Sequence, residues 1–180
     1  MSQYPHSTKL LLAGKVDLLA FDFDGVLTDN RVWVLESGLE AVMCNRSDGL
    51  AFDMMRSRGM PAVIVSTEHN DVVSKRAEKL RVPVLQGVAQ KHQALEAYCK
   101  AININLAKVA FVGNDLNDLK VMRAVGFSIA VADAHPSVKA IANFVLSSRG
   151  GDGVAREVVE HLLGFRYTSE LDNDFCAATL

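Results

Sequence analysis

The stretch VDLLAFDFDGVLTDN, residues 16–30, begins as an apolar run and ends in a cluster of acids beside a glycine. Residues 16–23 have the length and composition of a buried strand. Side chains alternate along a strand, which places Asp22 and Asp24 toward one cleft at its end. Gly25 then allows a sharp backbone turn beside them. Two like charges this close need a cation or a shared proton. A hard, oxygen-preferring ion such as magnesium, completed by substrate phosphate and water, meets that need. An Asp-Gly turn with a helix-capping acid would account for Asp24 and Gly25 alone. It would not account for two strand-end acids followed by Thr28 and Asp29.

Outward from this stretch, apolar runs of strand length alternate with helical patterns, the signature of a parallel sheet with helices on both faces. A β-hairpin is expected over residues 31–45, turning near Ser37 and Gly38, with Trp33 on one arm. Ser47 is placed to cap a helix over 48–58, ended by Gly59. Further strands are expected at 61–67, 82–86, 108–113, 127–132 and 143–147, with helices between them and a last helix over 153–163. The fold class is α/β, a three-layer sandwich around a parallel sheet. The hairpin forms a flap too small to be a separate cap domain. In such folds ligands bind beyond the carboxyl ends of the strands. Asp22, Asp24, Ser66, Asn114 and Asp115 all follow apolar strands.

The chain has 180 residues, 19 Lys plus Arg against 21 Asp plus Glu, and 49% apolar residues, which together indicate one globular domain over residues 1–180. Its core is expected at about 15–163, with a loose tail at 164–180. A net charge of −2 gives no footprint for nucleic acid, and no apolar run reaches the length that crosses a membrane. Cys44, Cys99 and Cys176 show neither pairing nor zinc spacing and read as free thiols of a cytoplasmic protein. The five histidines, His6, His69, His92, His135 and His161, have no ligand spacing.

The sequence DFDGVLTD at residues 22–29 resembles the first motif of the haloacid-dehalogenase-like phosphatase superfamily. Ser66 in VIVSTE, Lys91 in QGVAQK and GNDLND at residues 113–118 resemble its second, third and fourth motifs, in order. RGGDGVARE at residues 149–157 is similar to the C-terminal signature of the small capless subgroup acting on 3-deoxy-octulosonate 8-phosphate and nonulosonate 9-phosphates. The resemblance spans roughly residues 15–163.

It implies that Asp22 attacks phosphorus to form an aspartyl-phosphate and that Asp24 is the general acid and base. It implies Ser66 and Lys91 as phosphoryl ligands, with Mg2+ held by Asp22, by the main-chain carbonyl of Asp24 and by the fourth motif. That motif reads Gly-Asn-Asp where Gly-Asp-Asp is usual, so Asn114 brings a neutral amide to a ligand position that Asp115 or Asp118 would reinforce. Glu68 and Lys79 resemble charged positions tied to substrate choice in the nonulosonate phosphatases, although the run 75–81 also fits a solvated helix face. Arg149 is a candidate for a substrate carboxylate, in its own or a neighbouring subunit; a loop arginine at a helix start is the plainer alternative.

The expected activity is hydrolysis of a small acidic sugar phosphate, nonulosonate 9-phosphate ahead of 3-deoxy-octulosonate 8-phosphate. The expected assembly is a homotetramer closed by the Trp33 hairpin. The rival is a non-catalytic oligomerisation domain like those fused to acylneuraminate cytidylyltransferases.

Overall fold

The computed structural model describes Leu12 and residues 14–166. His6, Cys176 and the part of the expected tail beyond residue 166 lie outside the described residues.

The chain enters the sheet at β1 (Leu18–Phe21), whose four side chains are all buried, as a strand covered on both faces requires. Strand β4 (Ala62–Val65) pairs with β1 on one side and β6 (Val109–Gly113) on the other, both parallel. β5 (Val84–Leu85) extends the sheet beyond β4, and β7 (Phe127–Ala130) and β8 (Phe144–Val145) extend it beyond β6, giving the order β5-β4-β1-β6-β7-β8. From β1 the chain steps one way through β4 to β5, then crosses back over β1 and steps the other way. Right-handed crossovers in opposite directions place their helices on opposite faces. Accordingly α1 (Arg46–Ser57) packs with α2 (Val72–Leu80) and α6 (Val154–Glu157), while α3 (Lys91–Ala101) packs with α4 (Leu119–Ala124), and α4 with α5 (Pro136–Ile141). The expected three-layer sandwich is present. The reversal at β1 opens a crevice at the carboxyl ends of β1, β4 and β6.

β2 (Thr28–Val34) and β3 (Glu40–Cys44) form a separate antiparallel hairpin, starting three residues earlier than expected at Thr28. Val32, Trp33, Val34, Leu35, Leu39 and Met43 on it are all more than half exposed, Trp33 at 69%.

Three local expectations are corrected. The first strand ends at Phe21, so Asp22 and Asp24 stand in a loop and not on the alternating face of a strand. The N–H groups of Val26, Leu27 and Thr28 all converge on the Phe23 carbonyl, and with this tight turn Asp24 lines the same cavity as Asp22. Helix α1 is capped by Asn45, whose Oδ1 accepts both the Ser47 N–H at 2.9 Å and the Ser47 hydroxyl at 2.8 Å. The last helix shifts after Glu157 into a π-helical turn, Val158–Leu162. Among the described residues, no helix is long and apolar enough to cross a membrane.

Candidate active site

The carboxyl end of β1 delivers Asp22, the end of β6 delivers Asn114 and Asp115, and the first residue of α3 delivers Lys91. A helical turn at Leu116–Asp118 adds Asp118. These come together below a cavity of about 310 Å3 lined by Asp22, Asp24, Asn30, Thr67, Asn114, Asp115, Leu116 and Asn117.

The base of the site is an ionic triad. Lys91 Nζ lies 2.6 Å from Asp22 Oδ1 and 2.8 Å from Asp118 Oδ1, all three side chains being buried. Asp22 Oδ1 also accepts the Phe23 N–H at 2.7 Å, and Asp118 Oδ2 accepts the Asn114 N–H at 2.9 Å and the Asp115 N–H at 3.3 Å. One ammonium therefore serves two buried carboxylates, and ionising both leaves a net negative charge out of water. Burial first, then the Asp118 charge, push Asp22 up to about 8, against the pull of Lys91 and the Phe23 N–H. Burial alone would lower Lys91, but Asp22 and Asp118 hold its ammonium above the ordinary lysine value. Burial also raises Asp24, reinforced by Glu68 and Glu40 and opposed by Lys91.

A further cation fits this deficit. Asn114 Oδ1 is buried with no hydrogen-bond partner, an acceptor a buried amide rarely wastes. Among the described residues no three His, Cys, Asp or Glu side chains gather as a metal site. The donors on hand at the cavity are instead the Asp22 carboxylate and the Asn114 amide oxygen, an all-oxygen pair suited to a hard ion. Space around that amide is tight: Gly25 has φ +78°, and a Cβ on it would fall 1.9 Å from Asn114 Nδ2. Asp115, by contrast, is exposed and turns its carboxylate back to accept the Leu116 N–H at 2.7 Å.

The remaining candidates separate. Ser66 is buried at the end of β4, its Oγ accepting the Glu68 N–H at 3.1 Å, while its neighbour Thr67 faces the cavity. Glu68 bends over the following turn to accept the His69 and Asn70 N–H groups at 2.6 and 2.8 Å, close enough for its charge to bear on Asp24. Lys79 is not brought to the cavity: it stands in the last turn of α2 and lines a different hollow with Cys44, Arg46 and Arg76. Arg149 stays exposed, with its Nε 3.4 Å from Asp133 Oδ2. Sequence reasoning assigned no role to Asn30, Thr67 or Asn117; Asn30 closes the quoted acidic motif with φ 64°, and that motif was the available signal.

The haloacid dehalogenase-like hydrolase family model matches residues 64–158. The 3-deoxy-D-manno-octulosonate 8-phosphate phosphatase KdsC of Salmonella typhi is 35% identical over 161 residues, 88% of this chain and 86% of that protein. A HAD family hydrolase of Streptomyces avermitilis has a solved structure with TM-score 0.83 and 42% identity, covering 86% of this chain and 95% of that one. The 3-deoxy-D-manno-octulosonate 8-phosphate phosphatase of Moraxella catarrhalis, solved with magnesium, phosphate and KDO, superposes with TM-score 0.80 at 29% identity, covering 92% of this chain and 94% of that one. With an acid at the end of β1, a buried lysine bridging it to Asp118 on the turn after β6, a sheet of this order and relatives of this closeness, the chain belongs to the haloacid dehalogenase-like hydrolase family and is a phosphatase.

Proposed function

We propose that the protein is a magnesium-dependent phosphomonoesterase acting on the phosphate ester of a small acidic sugar, with 3-deoxy-octulosonate 8-phosphate or a nonulosonate 9-phosphate as substrate. The observation that carries this is the underneutralised triad: Lys91 alone between Asp22 and Asp118, beside the unpartnered Asn114 Oδ1. The triad carries one more negative than positive charge, so a phosphate dianion would enter only with a divalent ion to offset its own charge. The names of the relatives favour the octulosonate ester. Glu68, close enough to act on Asp24, is the feature that keeps the nonulosonate ester in view.

In the first half-reaction an Asp22 oxygen forms a bond to phosphorus as the bond from phosphorus to the sugar oxygen breaks. Asp24, whose proton affinity is raised by burial and by Glu68, gives its proton to the departing alkoxide. In the second, the Asp24 carboxylate takes a proton from water as that water attacks phosphorus, freeing phosphate and restoring Asp22. Lys91 keeps the Asp22 oxygen fixed and meets the non-bridging oxygens as a point charge. Ser66, with its Oγ already accepting the Glu68 N–H, directs its hydroxyl hydrogen to a phosphoryl oxygen. Magnesium, bound by Asp22, the Asp24 carbonyl and Asn114, would supply the charge that lets the dianion approach two acids.

We further propose that the exposed hairpin around Trp33 is covered by other copies of the chain in a homotetramer, in which Lys79, set apart from its own cavity, and the exposed Arg149 reach a neighbour's site. The intact set of Asp22, Asp24 and Lys91 speaks against a purely structural domain. The test of the substrate is a phosphate-release screen with magnesium over sugar-acid phosphates and neutral hexose phosphates. Turnover concentrated on the sugar acids supports the proposal; equal turnover of neutral esters contradicts it.

A further inference from the structure

Two buried carboxylates lie outside the catalytic cavity and play no part in the chemistry above. Asp48, on α1, is 1% exposed, and Glu157, on α6, is 6% exposed. Both grip main-chain N–H groups of one segment. Glu157 Oε1 accepts the Ser147 N–H at 2.9 Å and its hydroxyl at 3.1 Å, and Oε2 accepts the Ser148 N–H at 2.7 Å. Asp48 Oδ1 accepts the Ala155 N–H at 2.9 Å and the Arg156 N–H at 3.3 Å. One acid thus holds the segment where it leaves β8 and the other where it enters α6.

Between the two grips lies the glycine-rich loop 149–153, pressed against the turn that carries the reacting acids. The Gly151 N–H donates to the Val26 carbonyl at 3.0 Å. A Cβ on Gly150 would fall 2.2 Å from the Gly25 carbonyl oxygen and 2.9 Å from that of Thr28. On the other side of that turn, Thr28 Oγ1 accepts the Gly25 N–H at 3.1 Å and the Asn30 N–H at 3.3 Å. The backbone of the loop is therefore packed directly on the backbone of the turn that holds Gly25.

Burying a carboxylate costs several kcal/mol unless it is compensated, and apolar residues of like size would pack α1 against α6 without that penalty. Asp48 is especially costly, since its Oδ2 is buried with no hydrogen-bond partner. Such a group needs a reason beyond packing.

We propose that Asp48 and Glu157 are positioning residues, a pair of carboxylate clamps that fix loop 149–153 and through it the turn bearing Asp22 and Asp24. The proposal rests on the assignment of those two aspartates as the reacting acids. Because the clamps touch neither substrate nor phosphorus, their loss disturbs alignment in the transition state more than substrate binding. A displacement on the order of 1 Å in such a turn lowers turnover roughly 100-fold.

The test compares the full chain with Asp48→Ala, Asp48→Asn and Glu157→Gln, using p-nitrophenyl phosphate with magnesium and amide hydrogen exchange. Asp48→Ala is expected to lower kcat about 10- to 100-fold with KM within about threefold of wild type. Asp48→Asn keeps an oxygen for the two N–H groups and is expected to recover most of that loss. Glu157→Gln, which loses one of its accepting oxygens, is expected to fall between them, and exchange at Gly151 and Asn30 is expected to quicken in step with lost kcat. Folded Asp48→Ala and Glu157→Gln proteins with wild-type kcat overturn the proposal, as does an Asp48→Asn protein no better than Asp48→Ala. Should Asp48→Ala fail to fold, Glu157→Gln decides by the same criterion. Asp22→Asn is the separate control: if it keeps wild-type turnover, the underlying assignment fails whatever the clamps do.

Discussion

Lys91 Nζ sits 2.6 Å from Asp22 Oδ1, and the same ammonium reaches Asp118, so a single buried cation orients the acid at the end of β1 from the start of α3. The contact also explains why both groups tolerate burial. Each removes part of the other's desolvation penalty, and the residue of negative charge is what a divalent ion would neutralise.

Replacing Lys91 by Met is therefore expected to act twice. Two buried carboxylates lose their partner, which costs about 3–5 kcal/mol of stability, and turnover falls at least about 100-fold. Adding Asp118→Asn to Lys91→Met should restore much of the stability and none of the turnover. Thermal unfolding and phosphate release on the same samples check the split; parallel recovery of both would show that Lys91 is only a structural ion-pair partner.

Asp24→Asn removes a proton donor that burial and Glu68 hold protonated to higher pH than usual. We expect kcat to fall by roughly 10²–10⁴-fold with a smaller change in KM. A change confined to KM would make Asp24 a binding residue.

Asp48 gives the protein a predictable pH dependence of stability. Burial raises its folded pKa from 3.8 to about 6, with the Arg156 and Ala155 N–H groups and Arg76 opposing. The native state thus keeps a proton that the unfolded chain has released. Its contribution to stability is greatest at low pH, is lost as pH rises from about 4 to about 6, and stays lost above, on the order of 3 kcal/mol in all. Denaturant unfolding of wild type and Asp48→Asn across that range should show the variant gaining relative stability as pH rises. A constant difference contradicts the assignment.

The hairpin exposes more apolar surface than a two-stranded ribbon can bury on itself, with Trp33 at 69% and Val34 at 67%. A closed symmetric ring of copies covers it without open-ended growth. Wild type is expected to sediment as four chains and Trp33→Asp as smaller species with altered substrate range. A wild-type monomer would remove the hairpin's assigned role.

The sheet was legible because Val/Ile/Leu runs such as residues 62–65 and 109–112 leave little alternative to a strand buried on both faces. The acidic motif was legible because phosphate chemistry fixes its residue types within ten positions of one another. What escaped was set by distance along the chain. The partnership of Lys91 with Asp118 spans 27 residues, and that of Asp48 with Ala155 spans 107, and no local pattern announces either. Lys79 was grouped with Glu68 from a resemblance to charged positions of the nonulosonate phosphatases, yet the last turn of α2 places it in a different hollow. The alternation argument for Asp22 and Asp24 reached the right cleft by the wrong route, since three N–H groups on the Phe23 carbonyl form the turn that alternation was invoked to replace.

The central claim is that the Asp22 carboxylate itself attacks phosphorus. The most direct test is magnesium-dependent phosphate release from 3-deoxy-octulosonate 8-phosphate by purified Asp22→Asn, shown to be folded by circular dichroism, beside wild type. The variant differs by one oxygen-to-nitrogen exchange and keeps a carbonyl oxygen for Lys91 and the Phe23 N–H. Turnover abolished in the folded variant and present in wild type is the predicted result; turnover at the wild-type rate in the variant would contradict the covalent mechanism.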